Sequence, residues 1–122
     1  SLSAAANSAN MMAQPRANGV VVALSGETDL VTDGNRAAAI ANGHPLMAKV
    51  TAMGCAGSAV LAACLAVEPD AFRAAGAALA IMGVAGELAA EQSEGPGSFA
   101  IAIVDALHNL DGRALLARAK VD

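Results

Sequence analysis

Apolar positions change their rhythm twice along this chain. Residues 19–24 ("GVVVAL") form a continuous, β-branched apolar run, the pattern of a strand buried on both faces. The polar turn "SGETD" (25–29) follows. Then "LVTDGNRAAAIANGHPL" places two short strands around Asp33-Gly34-Asn35, a hairpin signal. Asn42-Gly43 marks another turn ahead of residues 47–50, where Lys49 suits a solvent-facing strand end better than a role in assisting phosphate. After Thr51 the pattern becomes helical. Helices are expected over residues 54–67 and 70–92, the second with Pro69 near its first turn, where a missing N–H matters least. Ser98 is the expected N-cap of a helix over 99–109, and Asp111 that of a last short helix through Arg118. Ahead of all these, the Ala/Asn/Ser-rich residues 3–17 fit a helix that stops near Pro15 and Asn18-Gly19.

Helix, buried strand, hairpin and then several helices is an α/β order. At 122 residues the chain is expected to be a single domain, 1–122. Three or four strands are few for a complete doubly wound sheet, and an unpaired sheet edge is an aggregation liability. The chain is therefore expected to be a portion of a larger protein.

Composition narrows the function classes. Hydrophobic residues make up 56% and charged residues 15%, which excludes a disordered chain. Seven scattered Lys and Arg in a chain of net charge −4, with no Trp or Tyr, argue against a nucleic-acid partner. The longest apolar runs, 56–67 and 74–86, fall short of the roughly 18 residues of a spanning helix. No secretory signal pattern is visible, so a cytoplasmic protein without a membrane partner is expected. Cys55 and Cys64 share one expected helix, nine positions apart, and point to opposite faces. They cannot bridge each other, and free thiols fit a reducing compartment.

The stretch with chemical potential is "KVTAMGCAGSAVLAACLAVE" (49–68). A helix start presents unpaired N–H groups and a partial positive charge, and anions settle there where small residues let the backbone approach. Ala52, Gly54, Ala56 and Gly57 provide such room, with Cys55 at the lip. A thiolate beside an anion cradle could take a proton from a substrate hydroxyl or act as a nucleophile. The same residues also fit a plain turn leading into a core helix, with Cys55 as a small hydrophobe.

The run "ALSGETDLVTDGNRAAAIANGHPLMAKVTAMGCAGSAVLAACLAVEPD", with "GVAGELAAEQSEGPGSF" and "VDALHNL" after it, resembles the hydroxyethylthiazole kinase family. The likeness runs from about Asn18 to the end and corresponds to the C-terminal half of the family's chain. It implies a ribokinase-like α/β fold, here part of a helix-flanked, mostly parallel sheet. It also implies phosphorylation of the hydroxyethyl group of 4-methyl-5-(2-hydroxyethyl)thiazole, using ATP and Mg²⁺, in thiamin biosynthesis or salvage, usually by a homotrimer. The family's Thr-Gly-x-Gly-Cys segment falls on Thr51-Ala52-Met53-Gly54-Cys55. The amides of Ala52, Met53 and Gly54 would then form the anion hole, with Cys55 as the catalytic group facing the substrate hydroxyl. Ala52 stands where glycine commonly contacts the thiazole, which narrows the allowed φ range. Ser25, followed by Gly26 and Glu27, falls on the position expected to contact ATP.

In this resemblance the metal-bearing acidic residues and the ATP arginine belong to the N-terminal half, so no metal ligand is expected in this chain. By itself it is expected to be inactive. A hydroxymethylpyrimidine-type kinase, or a non-catalytic module acting in assembly only, are the alternative readings; Cys55 favours the thiazole branch. The remaining candidates have bland readings. Glu27, Asp29 and Asp33 are expected to be a solvated turn rather than a metal cluster. His44 and His108 lack zinc-like spacing and suit surface or capping roles. Met82 is expected to fill the core, and Met53 to border the substrate. Gly76, Gly83 and Gly86 suit close helix packing or a subunit contact.

Overall fold

The computed structural model describes residues 19–122, so the helix expected over 3–17 lies outside the described residues. Three strands, β1 (Val22–Leu24), β2 (Asp29–Thr32) and β3 (Ala37–Ile40), form one sheet in the order β1-β2-β3. A 3₁₀ turn, Pro45–Lys49, leads into four helices: α1 (Met53–Val67), α2 (Ala71–Glu91), α3 (Pro96–Asn109) and α4 (Gly112–Arg118).

Both strand pairs are antiparallel, with Ala23 opposite Val31 and Leu30 opposite Ala39. For these three strands this corrects the mostly parallel sheet that the resemblance implied, while the hairpin read around Asp33-Gly34-Asn35 is present as β2 and β3. Residues 25–28 and 33–36 are the only connections between these strands. Parallel pairing needs a crossover of a dozen or more residues, so links this short force the chain to turn back. Burial of β1 on both faces is not observed either. Val22 is half-buried, while Ala23 and Leu24 are exposed, because, of the three strands, α2 packs on β2 and β3. On the far side of β3, residues 120–122 run antiparallel to it: Ala39 and Asp122 exchange N–H···O bonds of 3.0 and 2.8 Å.

The hairpin turn follows its sequence signal. Asp33 Oδ1 accepts N–H bonds from Asn35 and Arg36 at 2.9 and 2.7 Å. These bonds and the adjacent Arg36 guanidinium lower the Asp33 carboxyl to about 2. Arg36 reaches across to Asp70 with two bonds of 2.7 and 3.0 Å and lies 4.5 Å from the centre of the Phe72 ring. Asp70 is also the N-cap of α2, accepting from the Phe72 amide at 3.0 Å. One exposed guanidinium therefore ties the hairpin to the start of α2.

Helix α2 is the spine of the fold. Val31 and Ile40 pack with Ala75 and Ala80 in one core cluster; Ala85, Ala89, Phe99 and Ile103 form a second. Small residues let neighbours press on its axis. A Cβ at Gly83 would stand 2.6 Å from Asn42 Cβ, and one at Gly86 would overlap the Met47 sulfur. Gly83 and Gly86 therefore serve close packing, against residues 42–47 rather than against another helix. By length and composition α2 is long enough and apolar enough to cross a membrane, beyond the run read from sequence. Half of its most apolar window is buried against the sheet and the other helices, as in a core helix.

Two local expectations change. Residues 47–50 are not a strand: Pro45 starts the 3₁₀ turn and His44 Nδ1 caps it by accepting the Leu46 amide at 3.1 Å. Lys49 is exposed at the end of that turn. Helix α3 begins at Pro96 with Gly95 as N-cap, since a proline at the first position forfeits no helical bond. Ser98 sits inside that first turn, where its Oγ accepts the Glu94 amide at 3.0 Å.

Candidate functional site

The start of α1 is reached by a strap that is fixed along its length. Asn42 and Gly43 are bonded to Glu87 of α2, Met47 lies over Gly86, and Val50 and Met53 pack against the cluster around Phe99. The Met53 side chain therefore points into the core, while its backbone heads the helix. The N-cap, Ala52, has φ 71° and ψ 14°, the left-handed conformation, and is the one non-glycine residue with positive φ among the described residues. L-residues seldom adopt this conformation without compensation. The helical hydrogen-bond ladder begins where the Ala56 amide meets the Ala52 carbonyl at 3.0 Å.

Three amides remain at the tip. The N–H groups of Met53, Gly54 and Cys55 have no hydrogen-bond partner among the described residues, and no side chain caps the helix. Thr51, Ala52, Gly54 and Cys55 are exposed. Gly54 has neither a positive φ nor any neighbour within 4 Å of an added Cβ. Nothing within this chain requires glycine there, although glycine weakens a helix relative to alanine. The orphan amides carry the positive end of the helix dipole, so chemically the tip can accept an anion beside an accessible thiol.

The two cysteines differ in surroundings. Cys55 is exposed, whereas Cys64 is half-buried and burial pushes its thiol up. Both thiols are free.

Ser25 lies in the β1–β2 turn, exposed, and its hydroxyl has no partner among the described residues. The turn is stiffened by the Gly26 amide, which donates to Asp29 Oδ1 at 3.0 Å. Partial burial raises the Asp29 carboxyl, an effect opposed by that bond. No hydrogen bond or ion pair joins this turn to residues 52–55 among the described residues. Glu27, Asp29 and Asp33 do not converge, and no group of three or more His, Cys, Asp or Glu side chains that could hold a metal occurs among the described residues. His108 is exposed in the last turn of α3.

Sequence reasoning missed a polar node. Asn42, 5% exposed, donates Nδ2 to both Glu87 oxygens at 3.2 Å and to the Arg118 carbonyl at 2.8 Å. Its Oδ1 accepts the Lys120 amide at 2.7 Å, and the Gly43 amide donates to Glu87 at 3.2 Å. The available signal was Glu87 itself, a lone carboxylate directly after the apolar run of α2.

These features define an α/β protein with an open, uncapped helix start beside an exposed thiol. Comparison with known proteins gives the family. The Hydroxyethylthiazole kinase family model matches residues 1–113, and the chain belongs to that family. A relative named hydroxyethylthiazole kinase from Granulibacter bethesdensis is 49% identical over 94% of this chain and 41% of its own length. One from Cereibacter sphaeroides is 50% identical over 86% of this chain and 40% of its own. The solved structure of a hydroxyethylthiazole kinase protein from Pyrococcus horikoshii superposes with a TM-score of 0.87 at 36% identity, covering 92% of this chain and 44% of that one. The chain thus spans about two-fifths of the length of the curated relatives it matches.

Proposed function

We propose that the protein containing this chain transfers the terminal phosphoryl group of ATP to the hydroxyethyl group of 4-methyl-5-(2-hydroxyethyl)thiazole, serving thiamin biosynthesis or salvage. The observation that supports this reading best is the open tip of α1, with three unpaired amides beside an exposed thiol. Phosphoryl transfer asks a protein chiefly for positioning and for stabilisation of negative charge. Preorganised amides do both at no reorganisation cost during the reaction. The free amides of Met53, Gly54 and Cys55, one residue further along than the set Ala52, Met53 and Gly54 implied by the resemblance, embrace the equatorial oxygens, with the thiazole against Ala52. The Cys55 sulfur faces the attacking hydroxyl and, as the thiolate, takes its proton as the new P–O bond forms and the bond to the leaving ADP breaks. Ser25 donates its free hydroxyl to ATP.

Asp29 and Asp33 do not fit a magnesium site: Asp29 accepts from the Gly26 amide and Asp33 is paired with Arg36. The metal ligands and the ATP arginine are contributed by other parts of the polypeptide, which completes a ribokinase-like sheet beside these strands. Residues 1–122 alone therefore give no turnover. The working enzyme is a cytoplasmic homotrimer.

Gly54→Ala separates function from folding. Alanine fits the chain, so thermal stability should hold or rise, while the added methyl obstructs the cradle and lowers kcat with the thiazole alcohol by about a hundredfold or more. Cys55→Ala should also lower kcat, and Ser25→Ala should raise the KM for ATP. Unchanged turnover in both the Gly54 and Cys55 variants would refute the assignment.

A further inference from the structure

The polar node at Asn42 sits at the root of the strap that ends in the open amides. Glu87 lies in α2 with its side chain only 17% exposed. Its carboxylate holds Asn42 Nδ2 and the Gly43 amide, and Lys120 Nζ lies 3.7 Å away. Asn42 in turn is saturated by Arg118 and Lys120, so the chain just after β3, the last turns of α2 and the C-terminal segment meet at one side chain. Directly beside it, Gly83 lets the Asn42 backbone ride on the helix: an added Cβ would stand 2.9 Å from the Asn42 carbonyl carbon. Ten residues further on, the same strap becomes the N-cap of α1.

We propose that Glu87 is a positioning residue for the phosphoryl cradle. By bonding Asn42 and Gly43 it sets where the strap leaves the sheet, and so where the amides of Met53, Gly54 and Cys55 face. It touches neither substrate. A partly buried carboxylate is an expensive way to secure a turn that apolar packing could hold, and in some proteins buried polar groups serve to specify one geometry. This inference rests on the kinase reading above.

The test uses the full-length enzyme with ATP and the thiazole alcohol. Glu87→Gln keeps the shape but sets an amide NH₂ against Asn42 Nδ2. Gly83→Ala moves the strap without touching the charge. Val31→Ala, in the other core cluster, is a control for lost stability. Both strap variants should lower kcat by about tenfold or more and leave either KM within about twofold, the pattern of a misplaced transition-state contact. Val31→Ala should lower the melting temperature with kcat unchanged. If both strap variants keep wild-type kcat, or fall only as far as Val31→Ala does, the positioning role is wrong. A wild-type enzyme without turnover on this alcohol overturns the kinase reading and this inference with it.

Discussion

Ala52 offers a test in which strain, rather than contact, decides the outcome. Its φ of 71° and ψ of 14° place an L-residue in the left-handed region, at a cost of roughly 1–2 kcal/mol relative to a residue without a Cβ. Glycine removes that strain but loses more chain entropy on folding, roughly 0.5–1 kcal/mol. Ala52 is exposed, so its methyl packs on little that would be lost. The balance favours Ala52→Gly by about 1 kcal/mol, or about 3 °C in melting temperature for a protein of the relatives' size. Thermal and urea unfolding of the full-length protein would measure it, with Ala52→Val as the opposite perturbation: a β-branched side chain in this region should cost more than alanine does. A melting temperature lowered by Ala52→Gly and unaffected by Ala52→Val would show that the residue ahead of α1 is not left-handed, and the direction assigned to the amides would fail with it.

Two further outcomes follow from the packing and the charges. Gly83→Ala meets backbone and Cβ atoms of Asn42 and should cost about 1–3 kcal/mol, whereas Gly86→Ala meets only the flexible Met47 thioether and should cost less; paired urea unfolding curves would show the difference. The lowered carboxyls of Asp33 and Asp70 contribute stability that is present above their unfolded value of 3.8 and is lost as pH falls through their folded values, about 2 for Asp33. Melting temperature should therefore drop between pH 4 and 2, and Asp33→Asn should flatten that drop; an unchanged slope would contradict the role of the Arg36 contacts.

The parts of this fold that could be read from sequence are those with local causes. Asp70 after Pro69 sets the start of α2 within a residue, Asp111 caps α4 through the Ala114 amide at 2.8 Å, and Asp33-Gly34 turns the hairpin. Misreadings arose where a local signal had a competitor. Ser98 looked like a cap, but Pro96 two residues earlier already began the helix. The hairpin direction was legible in Asp33-Gly34-Asn35, whereas the mostly parallel sheet came from the family resemblance and overlooked how short the links between these three strands are. The candidate site was legible as a motif, since small residues around a cysteine at a helix start stand out in one window. Its support was not. Asn42 and Glu87 lie 45 positions apart, and no periodicity connects a turn asparagine with a carboxylate on a distant helix. The left-handed backbone at Ala52 was hidden for another reason: alanine gives no signal of positive φ, whereas glycine would have done so.

The central claim is that the unpaired amides at the tip of α1 receive the transferred phosphoryl group. Backbone amide shifts of the full-length, ¹⁵N-labelled protein, followed while the phosphorylated thiazole alcohol is titrated in, test it most directly. The resonances of Met53, Gly54 and Cys55 should move together and saturate, and Gly54→Ala should abolish the response. Saturable binding that leaves those three resonances in place would contradict it.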